Sequence, residues 1–182
     1  TEDRVGQPKA ESGRRTLAAL NPQVDIVPLA RRLDGDELDA RVREATVVLD
    51  CSDNFATRHA VNRACVIHER PLVSGAAIRF DGQLAVFDRR QPGAACYACL
   101  FPEGEGEDEL CAVMGVFAPL TGIIGTLQAA EALKLAAGDP AAGGSIGESM
   151  NGRLLLVDAL TMTLRTLRVP RDPRCTVCGG TH

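Results

Sequence analysis

The 182-residue sequence predicts an α/β fold with a mixed sheet. Three observations carry that reading. The run TVVLD (46–50) is short, β-branched and polar only at its ends, the look of a strand buried on both faces of a parallel sheet. A helical stretch then separates it from a second apolar run, PLVSG (71–75). Finally, AAIRFDGQLAVFD (76–88) reads as two strands around Asp81-Gly82, a strong hairpin signal, so antiparallel pairing joins the parallel part.

The remaining elements follow in order. Residues 8–20 read as a helix: Pro8 suits a first helical position, and Ala10, Leu17 and Leu20 are spaced for one face. NPQ (21–23) stops it, and VDIVPLA (24–30) reads as a short strand kept near an edge by Pro28. Asp34 to Glu44 is expected to be helical, with Leu38 and Val42 one turn apart. Gly, Pro, Glu and Asp dominate 91–110, which reads as a surface loop. The run from Ala118 to Gly138 makes about five turns of helix. Its Gln128, Glu131 and Lys134 place it within a protein, not a bilayer. RLLLVDALTMTLRTLRVP (153–170) is a further strand pair.

Composition excludes several functions. A net charge of −4 and 3% aromatic residues argue against nucleic-acid binding, which needs clustered cations or stacking platforms. No run of 18 uncharged apolar residues exists, so no membrane span is expected. Seven cysteines suit no disulfide framework, and no secretory signal opens the sequence. The expected compartment is therefore reducing and cytoplasmic, where thiols stay free or bind metal.

Four of those cysteines form two Cys-x-x-Cys pairs, Cys96/Cys99 and Cys175/Cys178. Each lies in an irregular segment beside Pro or Gly. Two residues between paired thiolates let both sulfurs reach one ion, and zinc prefers four tetrahedral ligands. A structural Zn²⁺ clasp is expected, tying the middle loop to the tail. With four thiolates it leaves no open position for chemistry. The competing readings are two separate thiol pairs or a redox pair, and the redox reading lacks that motif's usual place at a helix start after a strand.

LDCSDN (49–54) ends a buried strand, where α/β sheets bind ligands. Asp53 could hold Mg²⁺ on nucleotide phosphates, or simply cap the next helix. Asp50 is expected to turn into local hydrogen bonding. Lys9, at a helix start, could meet a phosphate or be a solvated surface lysine. Cys111, beside the acidic loop and a helix start, could be a nucleophile. Cys51 and Cys65 read as buried small hydrophobes.

Several segments, in order along nearly the whole chain, carry a resemblance: GQPKAESGRRTLAALNP, LDCSDNFATRHAVNRAC, PLVSGAAIRFDGQLAVF, CYACLF, the stretch from Cys111 to Lys134, and CTVCG. The sequence resembles the MoeB/ThiF/HesA family, bacterial relatives of ubiquitin-activating enzymes. The resemblance implies a Rossmann-like sheet with flanking helices, and one adenylation domain over residues 1–182. It implies an adenylyltransferase that uses MgATP to activate the C-terminal glycine of a ubiquitin-like sulfur carrier ending in Gly-Gly. Pyrophosphate leaves, and a sulfur donor later converts the acyl-adenylate to a thiocarboxylate. Lys9 matches the family lysine on ATP phosphates. Asp53 matches the aspartate of the magnesium and phosphate site, and Asn54 follows it in the same motif. Arg58 matches an arginine of mainly structural role. Cys111 matches a cysteine that in some members joins the carrier covalently. Cys96, Cys99, Cys175 and Cys178 match the zinc ligands. A homodimer is implied, with the 117–137 helix available for its interface.

The family's glycine loop, ribose-binding acid and phosphate-contacting arginine lie upstream of GQPK. No G-x-G-x-x-G occurs in these residues, so the expectation is the C-terminal two-thirds of a family member, without the first βαβ unit. No rhodanese-like segment follows CTVCG, so a separate protein is expected to supply sulfur. The alternative function is a zinc-clasped carrier-binding module without catalysis. A dehydrogenase-like reading lacks both the glycine fingerprint and a catalytic histidine setting.

Overall fold

The computed structural model describes residues 2–104, 114–139 and 144–179. These form two compact units, one up to Glu37 and one from Leu38 onward. In the first unit a 3₁₀ turn (Glu2–Arg4) precedes helix α1 (Lys9–Leu20). Pro8 takes the N-cap position, one residue before the first helical one. Leu17 and Leu20, expected on an apolar face, are exposed. VDIVPLA forms no strand. No described strand pairs with it, and Pro28 has no N–H to offer a ladder.

Helix α2 (Gly35–Glu44) leads into the second unit, where Val42 enters the core. The sheet has five strands in the order β1 (Val48–Asp50), β2 (Leu72–Ile78), β3 (Asp81–Phe87), β4 (Arg153–Asp158), β5 (Thr163–Arg168). β1 pairs parallel to β2, and every later pair is antiparallel. The sheet is thus mixed, as expected. Helix α3 (Phe55–Ile67) makes the β1–β2 crossover. A single helical turn, α4 (Tyr97–Leu100), follows β3, and α5 (Ala118–Ala136) precedes β4.

Strand alternation divides the core into two layers. Leu72 and Phe87 are cross-strand partners, and both pack with Val61, Ala64 and Cys65 of α3 and with Tyr97 of α4. Their neighbours Val73 and Val86, also partners, pack with Ala132 and Leu135 of α5. A period of two therefore buries both faces of β2 and β3. The stripe on α5 is Leu120, Ile124, Gln128, Glu131 and Leu135, steps of four or three residues on one helical face. Glu131 is buried but paired: its carboxylate accepts from the Met150 N–H at 2.9 Å and meets Lys134 Nζ at 2.5 Å.

Two expectations change. TVVLD is not covered on both faces: only three of its residues are strand, β1 has one neighbour among the described residues, and Leu49 is 42% exposed. The hairpin turns two residues earlier than Asp81-Gly82. Asp81 pairs with Ile78 and Gly82 with Ala77, so Arg79 and Phe80 make the turn and LVSGAAI is one continuous strand. Gly82 serves packing instead. A Cβ there would lie 2.7 Å from Ile124 Cδ1 and 2.9 Å from Leu120 Cδ1, so its absence lets α5 lie against β3. Among the described residues no helix is long and apolar enough to cross a membrane.

Candidate functional site

A cavity of about 500 Å³ opens beyond the carboxyl end of β1. Its wall includes Asp53, Arg58, Gly75 and Gln128, with Ile78 and Val116 at its apolar side. The loop from Asp50 to Asn54 is held in place residue by residue. Asp50 is buried, and its carboxylate accepts from the Ser52 N–H at 3.0 Å, the Ser52 hydroxyl at 2.7 Å and the Ser74 hydroxyl at 3.4 Å. Local hydrogen bonding is thus its role, as expected. Arg58, buried on α3, donates to the Ser52 carbonyl at 2.6 Å. That contact supports the structural role expected of it.

Asn54, not Asp53, caps α3: its side-chain oxygen accepts from the Thr57 N–H at 2.8 Å. The capping alternative for Asp53 is therefore overturned. With the capping duty on its neighbour, the Asp53 carboxylate stands exposed at the cavity wall. Its described polar neighbour is the Asn54 amide, 3.4 Å away. An exposed carboxylate at a helix start beyond a strand end can ligate a hard cation.

Gln128 ties this end of the sheet to α5. Its amide nitrogen donates to the Asp50 carbonyl at 2.9 Å and the Val73 carbonyl at 3.2 Å. Its amide oxygen then faces the Cys51 thiol, 3.5 Å away. A Cβ on Gly75 would come within 2.3 Å of the Gln128 side chain, so glycine is required where the amide crosses β2. Cys51 is exposed at the cavity wall, contrary to its reading as a buried hydrophobe, because β1 ends at Asp50 and the loop turns outward. Burial of its sulfur, then the nearby Asp50 carboxylate, raises its thiol above the ordinary range. Cys65 fits its reading: it is buried, and desolvation with Asp50 pushes its thiol up to about 12.

Gln128 and Gly75 did not emerge from the sequence. The available signal was a lone amide on an otherwise apolar helical stripe. Lys9 is the first residue of α1, exposed, in the first unit. Cys111 lies outside the described residues.

The two Cys-x-x-Cys pairs do meet. All four sulfurs lie within 4.8 Å of one another: Cys96 and Cys99 at 4.0 Å, Cys96 and Cys175 at 3.7 Å, Cys99 and Cys178 at 3.4 Å. Four sulfurs around a tetrahedral ion with bonds of about 2.3 Å would stand about 3.8 Å apart, so the cluster fits such an ion. α4 starts at this pair, and Asn62 of α3 accepts from the Tyr97 N–H at 2.9 Å to fix it. The neighbouring Cys96 sulfur and the Asp172 N–H, 3.4 Å away, lower the Cys99 thiol, while its close neighbours raise Cys96 and burial raises Cys178, the mutual shifts expected of crowded sulfurs.

The sequence profile of the ThiF family matches residues 1–177. The chain is 46% identical over 176 residues to a molybdopterin-synthase adenylyltransferase of Escherichia coli, covering 96% of this chain and 67% of that protein. It is 39% identical over 182 residues to the sulfur carrier protein ThiS adenylyltransferase of Escherichia coli, covering 100% of this chain and 68% of that one. In fold it is similar to E. coli MccB crystallised with ATP, at a TM-score of 0.76 and 19% identity, over 99% of this chain and 54% of that chain. The chain thus spans about two thirds of those curated relatives and about half of MccB. Sequence and fold agree, and the chain belongs to the ThiF family.

Proposed function

We propose that this chain carries the magnesium and carrier-tail side of an adenylation site, activating the C-terminal glycine of a ubiquitin-like sulfur carrier with MgATP. The observation that carries the reading is the exposed Asp53 carboxylate, freed from capping by Asn54 and set on the wall of the cavity beyond β1. The relatives' names, adenylyltransferases of molybdopterin synthase and of ThiS, supply the reaction class.

A carboxylate is a poor electrophile, and joining it to AMP gives it a good leaving group. The reaction needs cations where negative charge grows on the α-phosphate. In this proposal Asp53 would hold the magnesium that supplies this charge, Asn54 fixes the loop, and Lys9 of the first unit is the candidate phosphate contact that the family resemblance implies. The cavity wall runs along the β2 backbone at Gly75, and only a tail of glycines could pass as close to backbone there. A separate sulfur donor then forms the thiocarboxylate, with Cys111 as the candidate covalent residue. Residues 1–182 act as one adenylation domain, in the cytoplasm and as a homodimer. The four cysteines hold a structural zinc, which supplies no chemistry with all positions filled by thiolate.

The test is ATP–pyrophosphate exchange with the zinc-loaded chain, Mg²⁺ and a Gly-Gly-tailed carrier. Exchange that requires both and disappears in Asp53→Ala supports the proposal. Carrier binding without exchange would favour the non-catalytic module instead.

A further inference from the structure

A second cavity, of about 650 Å³, lies at the other end of β4 and β5, and shares no residue with the first. Its wall holds Arg153, Arg168 and Arg171 against a single carboxylate, Glu148. That is a local charge of +2 in a chain whose net charge is −4. Arg153 and Arg168 are direct cross-strand partners on one face of the β4–β5 pair. Like charges opposed in this way repel, with Cβ atoms about 5 Å apart.

The molecule does little to relieve that repulsion. Glu148 meets Arg153 at 3.0 Å, but it is 84% exposed, where ion pairs contribute little. Arg153 also donates to the Ser149 carbonyl at 2.6 Å, and Arg171 donates to the Cys178 carbonyl beside the cysteine cluster. Among the described residues no carboxylate pairs with Arg168. Guanidinium forks recognise planar or tetrahedral oxyanions with paired N–H donors, and a dianion matches the local +2.

The geometry points to this cavity as a binding site for a phosphate-class dianion, separate from the adenylation site, with Arg153 and Arg168 as its clamp. Arg171 couples the site to the cysteine clasp through Cys178. The dianion can be free phosphate or a pyrophosphate released by a nucleotide reaction, and the two share the chemistry that the clamp reads.

Calorimetric titration of the zinc-loaded chain at constant ionic strength tests it, with inorganic phosphate and pyrophosphate as probes and acetate as the monoanion control. One saturable site is expected for at least one dianion and none for acetate. The better binder identifies the source. Arg168→Gln should weaken binding at least about tenfold, the loss of one charge-assisted contact, and Asp53→Ala should leave it unchanged. Without added anion, Arg168→Gln should be no less stable than the parent, because it removes a like-charge pair. Absence of saturable binding, equal affinity in Arg168→Gln, or loss of the site in Asp53→Ala would each overturn the assignment. An anion-free Arg168→Gln less stable than the parent would make Arg168 a structural residue and overturn it too.

Discussion

Gln128 does more for the cavity beyond β1 than its place in an apolar helix suggests. Its two donors satisfy the Asp50 carbonyl at the end of β1 and the Val73 carbonyl near the start of β2. Gln128→Met keeps the shape and removes both donors. It should cost about 2–4 kcal/mol of stability, since each buried carbonyl left unpaired costs about 1–3 kcal/mol, and urea denaturation reads that loss. His59 gives a second test at this scale. Burial holds its imidazole below the ordinary histidine range, against the raising influence of the Glu103 carboxylate. The unfolded chain takes the proton first, near about pH 6.5. The stability contributed by neutral His59 is therefore complete above that pH and is lost as pH falls toward its lower folded value. His59→Gln should flatten the fall in stability between about pH 7 and 5, and an unchanged slope would contradict this. Part of this scale was legible: the four cysteines and the position of the Asp53 loop beyond a strand end were read from residue type and place, and the structural duty of Arg58 was implied by the family resemblance. Gln128 was not, because nothing in a linear sequence says which carbonyls a buried amide will face.

At the scale of elements, periodicity located the helices well and the edges poorly. α1, α2, α3 and α5 lie where the sequence placed them, and Asn54 caps α3 with its side chain. VDIVPLA failed as a strand because strand propensity needs a neighbour, and none of the described strands supplies one. The hairpin moved because Gly82 was needed to admit Leu120 and Ile124, and Arg79 instead adopts a positive φ of 49° in the turn. Such a choice is set by tertiary packing, not by the dipeptide. The cysteine clasp joins α4 to the segment after β5, across a sequence separation of 79 from Cys96 to Cys175. Cys99→Ser should lower the metal content from about one zinc per chain and reduce the thermal midpoint, and elemental analysis with calorimetry checks both. Full zinc retention in that variant would contradict the four-thiolate site.

At the scale of the molecule, a three-layer α/β/α unit places two chemically distinct cavities at opposite ends of its strands. The family was legible because its motifs run through most of the sequence in order. The identities of the proposed carrier and sulfur donor were not, because such partners are recognised by surfaces that a single sequence does not spell out. The outer face of α5, where Leu133 is 70% exposed, is the surface we assign to the proposed homodimer. The most direct test of the central proposal is carrier-dependent ATP–pyrophosphate exchange, measured on the folded, zinc-loaded chain and its Asp53→Ala variant. Exchange in the parent and none in the variant is the expected result. Equal exchange in both would contradict the role assigned to Asp53, and none from the parent would contradict catalysis by this chain and favour the carrier-binding module.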